Sequence, residues 1–177
     1  FLITGAVNRD GQSNITVNKD ARIISSNVEV GNGVIHVIDK ALEVADQTLA
    51  ETIDEDPSLS LFAELIRETG WYDTLDEPLT YDQDSISSHV SVLAQTNEVF
   101  QEAGFNTLND LKERYSHLDD PTNPLDSLNL YVAYRIIPEL DYLADLAVKS
   151  VVLTKAPLEV ISVKLASDSL LLNEETF

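Results

Sequence analysis

The sequence predicts an α+β fold, because strand patterns lie at both ends of the chain and helix patterns lie between them. Residues 13–18 alternate polar and apolar side chains, which is the period of a half-buried strand. Between residues 46 and 137 apolar residues recur mainly at helical spacing. Short apolar runs return at 151–172. This order of strands, helices and strands is typical of an α+β protein.

The first 45 residues are predicted to be β-structure. Residues 8–11 hold Asn, Asp and Gly, which favour a hairpin turn before the strand at 13–18. A second short strand is predicted at 21–24. A third, Val34 to Ile38, follows the turn signal Gly31-Asn32-Gly33.

Helices dominate the middle of the chain, with predicted spans 46–53, 58–69, 97–103, 107–115 and 125–137. Ser58 is a plausible N-cap and Gly70 a C-terminal stop for the second of them, while Thr107 with Asp110 forms a capping pattern. Pro138 should end the last helix. Residues 73–88 are predicted to be a polar loop and 90–94 a strand. Strands at 151–154, 158–165 and 169–172 close the chain.

Composition excludes several classes of function. The chain has 31 acidic and 11 basic side chains, a formal net charge of −20, so nucleic acid and anionic membranes are poor partners. It has no cysteine, which excludes disulfides, thiolate metal sites and cysteine nucleophiles. No apolar stretch approaches the roughly 20 residues of a membrane helix. The chain begins inside the apolar run Phe1-Leu2-Ile3, so we expect an internal piece or a processed product.

Two segments resemble the signatures of the fasciclin-like domain family. Residues 32–39, Asn-Gly-Val-Ile-His-Val-Ile-Asp, are similar to the motif on the family's last core strand. Residues 92–100 are similar to its other signature, a strand that enters a short helix, although Gln95 stands where the family usually has proline. Residues 61–75 and 130–138 resemble the family's early and central helices. The resemblance implies a compact β-sheet wedge or sandwich with several packed helices.

The order of the motifs predicts how the chain is divided. The closing motif comes first here, so residues 1–45 resemble the C-terminal part of one domain and residues 46–177 the N-terminal and central part of another. A two-domain protein trimmed at both ends and a swapped or permuted arrangement both fit this order. Each part would leave strand edges uncovered. We therefore expect residues 13–38 to pair with strands near 151–172, in the same molecule or by strand exchange in a homo-oligomer.

The resemblance gives the closing motif a structural role. His36 is expected to be a buried histidine that hydrogen-bonds to backbone, and we favour this over a metal or catalytic role because no second ligand stands at suitable spacing. Asn32 and Gly33 should form the turn, where positive φ is easily met. Asp39 should cap or pair locally.

The second signature is also interpreted as structural. Thr96 or Asn97 should cap the helix that contains Phe100, and we favour capping over anion binding because the acidic chain would repel an anion. The family's adhesion members typically have Tyr-His where this chain has Tyr134-Arg135, a dipeptide associated with integrin engagement in animal relatives. The resemblance therefore makes Tyr134 and Arg135 candidate partner contacts, from which Arg135 departs in residue type.

Neither a cofactor nor a metal site is predicted. The acidic clusters at 54–56, 82–84 and 119–120 lack the regular oxygen spacing, glycine turn and bidentate glutamate of a calcium loop. The three histidines have no Gly-x-Ser-x-Gly partner, and no two carboxylates are paired by spacing. We expect no catalytic residues.

The sequence thus predicts a non-catalytic adhesion or binding module that engages a protein or a glycan. The expected location is extracytoplasmic, on the surface of a bacterial cell, with any signal or lipid anchor outside this segment. One alternative is a glycan-active enzyme that uses surface carboxylates. Another is a structural spacer in a larger surface protein.

Overall fold

The computed structural model describes residues 4–9, 12–17, 21–42, 46–77, 89–166 and 169–173. Antiparallel strands lie mainly at the two ends of the chain and helices between them, so the predicted α+β fold is confirmed. The chain divides into two compact units, Phe1–Asp46 and Gln47–Phe177. None of the helices within these ranges has the length and apolar character needed to cross a membrane.

The first unit is an antiparallel sheet of four strands in chain order. The strands are β1 Thr4–Arg9, β2 Gln12–Val17, β3 Ala21–Val30 and β4 Gly33–Ile38. The strand predicted at 34–38 is confirmed, and so is the one predicted at 13–18 up to Val17, after which residue 18 lies outside the described ranges. The strand predicted at 21–24 continues to Val30, because it pairs with β4 from Ile23 to Val30. Two register shifts between Ile23 and Val28 place extra residues on β3.

The hairpin between β3 and β4 turns as predicted but with a different backbone conformation. Val30 pairs with Gly33, which leaves Gly31 and Asn32 as a two-residue turn. Positive φ in this hairpin occurs at Asn27, with φ 56°, and not at Asn32 or Gly33. The expectation that Asn32 and Gly33 use positive φ is therefore wrong. The residue with positive φ is Asn27, which lies in the bulged part of β3.

The second unit contains seven helices among the described residues. They are α1 Leu49–Glu55, α2 Ser60–Glu68, α3 Trp71–Leu75, α4 Asn97–Glu102, α5 Leu108–Tyr115, α6 Ser127–Ala133 and α7 Leu143–Leu146. The apolar faces of α1 to α6 meet in one core, whose fully buried large side chains include Phe62, Leu65, Ile66, Phe100, Leu111, Leu128 and Val132. The helix periods in the sequence thus identify core-facing positions correctly.

Local capping explains where most of these helices begin and end. Thr107 accepts from the backbone N–H of Asp110, whose carboxylate accepts from the N–H of Thr107, so the predicted capping box is confirmed. Gly70 ends α2 with φ 77°, also as predicted. Ser58 is not the N-cap of α2, because Pro57–Leu59 form a 3₁₀ turn ahead of the helix, capped by Asp56.

Two predicted elements are shorter in the structure. The helix predicted at 125–137 ends at Ala133, and Ile136–Ile137 form the strand β6, which pairs with β5 at Ser91–Val92. The residue before Pro138 is biased away from helical geometry, and β-branched isoleucines suit a strand. The strand predicted at 90–94 is reduced to β5. The helix α3 occupies the start of the loop predicted at 73–88, of which residues 78–88 lie outside the described ranges.

A third sheet closes the second unit. It consists of β7 Val151–Leu153, β8 Val160–Leu165 and β9 Leu170–Leu172 in antiparallel order. One face of it packs in a second core with Ile137, Leu146, Val152, Ile161 and Val163. The described ladders of β1 to β4 and of β7 to β9 each form a sheet of their own. The predicted pairing of residues 13–38 with 151–172 is thus absent from the described strand ladders, and strand exchange with a neighbouring copy stays a prediction.

Candidate functional site

The closing motif lies on the edge strand β4, and His36 is exposed there rather than buried. Its Nδ1 accepts a hydrogen bond from the backbone N–H of Asn27 at 3.3 Å. The expected hydrogen bond to backbone is present, but the expected burial is wrong. Within the first unit the described strands form one sheet, and strand periodicity alone does not show which of its side chains are buried.

Asp39 pairs locally at the end of the same hairpin. Its Oδ1 accepts from the backbone N–H of Arg22 at 2.6 Å, and its own N–H donates to the carbonyl of Arg22 at 3.1 Å. These two bonds extend the β3–β4 ladder past Ile38. Asn32, Gly33, His36 and Asp39 therefore act within the hairpin itself.

The second signature builds the start of α4 and joins it to α2. Thr96 caps α4 by accepting from the N–H of Val99 at 3.4 Å. The Asn97 side chain accepts from the N–H of Leu61 at 3.0 Å and donates to the carbonyl of Pro57 at 2.9 Å. Asn97 thus satisfies the first turn of α2 from another helix, while Phe100 on α4 is buried in the core.

Gln95 and Arg135 form the centre of a cluster with Tyr131 and Tyr115, which we call the tyrosine–arginine cluster. The Gln95 side-chain oxygen accepts from the Tyr131 hydroxyl at 2.6 Å and from Arg135 Nε at 2.7 Å. The guanidinium carbon of Arg135 stands 3.5 Å from the centre of the Tyr131 ring, a cation–π geometry. The Tyr115 and Tyr131 rings are 4.9 Å apart.

The guanidinium group of Arg135 is contacted by neutral groups, namely the Gln95 amide, the Tyr131 carbonyl and the Tyr131 ring. Among the residues that the structure describes, no carboxylate forms an ion pair with it. Burial lowers the pKa of Arg135, and the nearby tyrosines act in the opposite direction. Burial raises the pKa of Tyr131, which the positive charge of Arg135 partly offsets. The cluster is therefore a half-buried cation on a strongly acidic chain.

Tyr134, the other candidate contact, uses its hydroxyl internally. It donates to the carbonyl oxygen of Val160 at 3.0 Å and accepts from Asn173 Nδ2 at 2.8 Å. Tyr134 thus fastens the end of α6 to the β7–β9 sheet. Arg135, the other candidate contact, carries a positive charge that no described carboxylate pairs with.

A groove of about 300 Å³ lies beside the α2–α4 junction. Glu64 is the single carboxylate of its lining, which also includes Asn97, Gln101 and Asn106. A glycosidase requires two facing carboxylates. The groove does not offer that pair.

Ser127, His117 and Asp126 lie together at the start of α6, but not in the arrangement of a catalytic triad. Ser127 Oγ is 2.9 Å from His117 Nδ1, and Asp126 Oδ2 is 4.0 Å from the same nitrogen. A triad needs the serine and the carboxylate on opposite nitrogens of the imidazole. His117 Nδ1 instead accepts from the backbone N–H of Ser127 at 3.2 Å. This group is a helix cap.

A buried carboxylate, Asp126, stabilises the start of α6, and the sequence motifs did not single it out. Asp126 is fully buried and accepts from the backbone N–H groups of Leu118 and Leu128, each at 2.9 Å. Burial alone would raise the pKa of Asp126, but these bonds, the Ser116 hydroxyl and nearby His117 hold it below its ordinary value. Asp126 is the N-cap of α6, a role that its place before the helix pattern could have signalled.

The acidic clusters have local structural partners where the structure describes them. Asp54 pairs with Arg67 at 2.7 Å, Asp56 caps the 3₁₀ turn, and Asp120 accepts from the hydroxyl of Thr122 at 2.7 Å. Residues 82–84 lie outside the described ranges. Within those ranges no group of three acidic or histidine side chains is placed to hold a metal ion.

Comparison with known proteins gives a match to a family model and similarity to solved structures. The family model described as "Fasciclin domain" matches residues 4–44, which include the closing motif. A solved FAS1 domain pair from the insect cell adhesion molecule fasciclin I is similar over 97% of this chain, at 16% identity and a TM-score of 0.49. The chain spans 57% of that structure's length. No curated protein matches the chain.

The match falls on the hairpin whose Asn-Gly-Val-Ile-His segment first indicated the family. The predicted resemblance to the fasciclin domain family is therefore confirmed at residues 4–44.

Proposed function

We propose that this chain is a non-catalytic binding module of an extracytoplasmic surface protein, which adheres to a protein or a glycan. The observation that supports it is the fasciclin domain sequence at residues 4–44. The assignment of residues 46–177 to the N-terminal and central part of a second such domain, and of the whole to a bacterial surface, belongs to the same proposal.

Arg135 is the proposed contact residue within the second unit. Its guanidinium is half-buried among tyrosines and faces no described carboxylate, so an acidic group of a partner would supply the missing counter-charge. The net charge of −20 opposes the approach of such a partner at long range. Salt screens that repulsion over a Debye length of about 8 Å at physiological ionic strength, whereas it weakens a half-buried contact much less.

An adhesion assay with coated beads tests the proposal. Beads coated with the chain are counted on cell layers and on a glycan array, beside beads coated with serum albumin, which is also acidic. We expect retention of the chain-coated beads on at least one surface. Arg135→Ala should reduce it, while Arg114→Ala, which removes a charge on the exposed face of α5, should not. Equal retention of chain and albumin on every surface would contradict adhesion and favour a spacer.

A hydrolysis assay tests the alternative that the chain is a glycan-active enzyme. If the chain were a glycan-active enzyme, incubation with a panel of oligosaccharides would release reducing sugar in proportion to protein concentration. Glu64→Gln should abolish that release if the groove were the site, because Glu64 is its single carboxylate. We expect no release above that of buffer.

A further inference from the structure

The groove beside the α2–α4 junction has the size of a small-ligand site. Its volume is about 300 Å³, which is at the lower end of the roughly 300–1,000 Å³ found for small-molecule sites. Its polar lining comes from three segments, namely Ser60 and Glu64 of α2, Gln101 of α4, and Asn106 just ahead of α5. A groove of this size can take one sugar ring or one side chain.

Hydrogen bonds within the chain hold the walls of this groove in place. Asn97 accepts from the Leu61 N–H at 3.0 Å and donates to Ser60 Oγ at 3.0 Å, which ties α4 to α2. The Asp110 carboxylate accepts from the Asn106 N–H at 2.9 Å, which ties the segment after α4 to α5. Because the walls are fixed before a ligand arrives, binding orders little of the backbone.

Other polar groups of the lining are left free to bind a ligand. Among the residues that the structure describes, none forms a hydrogen bond or an ion pair with the side chains of Glu64, Gln101 and Asn106. Ser60 Oγ accepts from Asn97, which leaves its own O–H to donate. The groove therefore offers a carboxylate, two amides and a hydroxyl, which together present both donors and acceptors.

This set of groups fits the hydroxyls of a neutral sugar. Each sugar hydroxyl can donate and accept, so it can donate to the Glu64 carboxylate and accept from the N–H groups of Gln101 and Asn106. A carboxylate or an amide has two polar atoms in one plane and can therefore contact two adjacent hydroxyls at once. An acidic sugar would be repelled by Glu64 and by the net charge of −20.

Protein side chains fit the same groove less well. Contacts that dominate protein interfaces are usually aromatic or arginine side chains in closely packed, desolvated pockets. The apolar member of this lining, Leu61, is only 7% exposed and offers little surface to such an anchor. A lysine ammonium could pair with Glu64, but it has donors only, so the N–H groups of Gln101 and Asn106 would find no acceptor on it.

We propose that this groove binds a single neutral sugar residue at the end of a glycan. The Glu64 carboxylate accepts from the sugar hydroxyls, and the amides of Gln101 and Asn106 donate to and accept from them. The inference rests on the proposed function, because it names the kind of glycan to which the module adheres. It adds a contact that is separate from Arg135.

An NMR titration of the whole chain tests this site. The probes are methyl β-glucoside, methyl β-galactoside, methyl α-mannoside and methyl N-acetyl-β-glucosaminide, and the side-chain amide signals of Gln101 and Asn106 are followed. We expect at least one sugar to shift both signals with a dissociation constant in the millimolar range, since so small a ligand forms few contacts. The affinity should not change as salt is raised, because the sugar carries no charge to be screened.

Alanine variants show whether the shifts come from binding in the groove. Gln101→Ala and Asn106→Ala should each weaken binding about three- to tenfold, the effect of losing a hydrogen bond. Both side chains lack partners among the described residues, so the variants should stay folded, which the same spectra show. Asn109→Ala is the matched control, because it removes an amide of α5 outside the lining and should leave the affinity unchanged.

Three outcomes would overturn the sugar site. They are an absence of shifts at Gln101 and Asn106 with all of these sugars, an equal loss of affinity in Asn109→Ala, and a stronger, salt-sensitive shift with N-acetyl-lysine methylamide. The last would favour a basic peptide. Bead adhesion without any sugar-induced shift would overturn the sugar site and leave the proposed function standing. Sugar-induced shifts without bead adhesion would support the sugar site and contradict adhesion.

Discussion

Arg135 donates a hydrogen bond from its Nε to the side-chain oxygen of Gln95 at 2.7 Å, across 40 positions of sequence. At both positions the chain departs in residue type from the fasciclin-like pattern that it resembles, which usually has proline and histidine there. The departures therefore contact each other. Gln95 also accepts from the hydroxyl of Tyr131, so one amide oxygen holds both partners of the cation–π pair.

Gln95→Ala should destabilise the chain by about 1–3 kcal/mol, because it leaves the Tyr131 hydroxyl and Arg135 Nε without their acceptor. Urea unfolding measures the change. A double-mutant cycle with Arg135→Ala should give a coupling of about 0.5–3 kcal/mol, the range for residues in contact. Gln101→Ala, on the exposed end of α4, is the matched control and should change stability by less than about 0.5 kcal/mol. Additive effects of the two cluster substitutions would show that the pair is not coupled.

The buried carboxylate of Asp126 predicts a pH dependence of stability. Its hydrogen bonds hold its pKa below the ordinary value of 3.8. A carboxyl whose pKa is lowered in the folded state stabilises that state above the unfolded pKa, and this contribution is lost as pH falls through the folded pKa. The melting temperature of the wild-type chain should therefore exceed that of Asp126→Asn at pH 6, and the difference should shrink below about pH 3.8.

Asp120→Asn is the control for this titration. Asp120 accepts hydrogen bonds in an exposed turn six residues before Asp126, so its replacement should change the melting temperature little at any pH. The comparison with the wild-type chain matters because Asp56 and Asp110 also have lowered pKa values and lose their contributions in the same acid range. A wild-type minus Asp126→Asn difference that stays constant from pH 6 to pH 3 would contradict the assignment.

Asn97 should contribute to stability through α2 rather than through its own helix. Asn97→Ala removes the acceptor of the Leu61 N–H and the donor to Pro57 and Ser60 Oγ, and we expect a loss of about 1–3 kcal/mol by thermal unfolding. Asn97→Asp keeps an acceptor for Leu61 but loses the donor, so its cost should be intermediate. Asn109→Ala on the exposed face of α5 is the control. If Asn97→Asp were as damaging as Asn97→Ala, the bond to Leu61 would not be the important one.

Local patterns in the sequence predict local structure well, and tertiary contacts account for the misses. The capping box joins Thr107 to Asp110, three positions along the chain, and is visible in the sequence. The N-terminus of α2 is instead satisfied by Asn97, 36 positions away, which no spacing rule could identify. Similarly, the helix expected to reach Ile137 ends early because Ile136 and Ile137 find a strand partner in β5.

Burial was the property that sequence reasoning could least supply. The strand of His36 was predicted correctly, but whether a side chain on it is buried depends on what covers the sheet, which strand periodicity does not contain. The candidate site likewise shows that positions were predicted correctly but their surroundings were not. Resemblance indicated Tyr134 and Arg135, yet their actual partners, Val160, Asn173 and Gln95, come from distant segments.

Asn129 provides the last prediction, because its buried amide joins three segments of the second unit. It accepts from the indole N–H of Trp71 at 3.1 Å and donates to the carbonyl oxygens of Thr69 at 2.9 Å and Pro121 at 3.0 Å. Asn129→Leu has a similar volume but can satisfy none of these groups. Because leaving one such group unsatisfied costs about 1–3 kcal/mol, we expect a loss of at least about 2 kcal/mol.

Trp71 makes this prediction measurable at the site itself. It is the single tryptophan of the chain, so tryptophan fluorescence reports on the surroundings of this one indole, which include Asn129. In Asn129→Leu the indole N–H loses its acceptor and should hydrogen-bond to water instead. We expect this to shift the emission maximum to longer wavelength before any denaturant is added. Asn129→Asp retains the acceptor for Trp71 and should keep the native emission, although it loses the bonds to Thr69 and Pro121 and is destabilised. An unshifted spectrum in Asn129→Leu would mean that the indole does not depend on Asn129 for its environment.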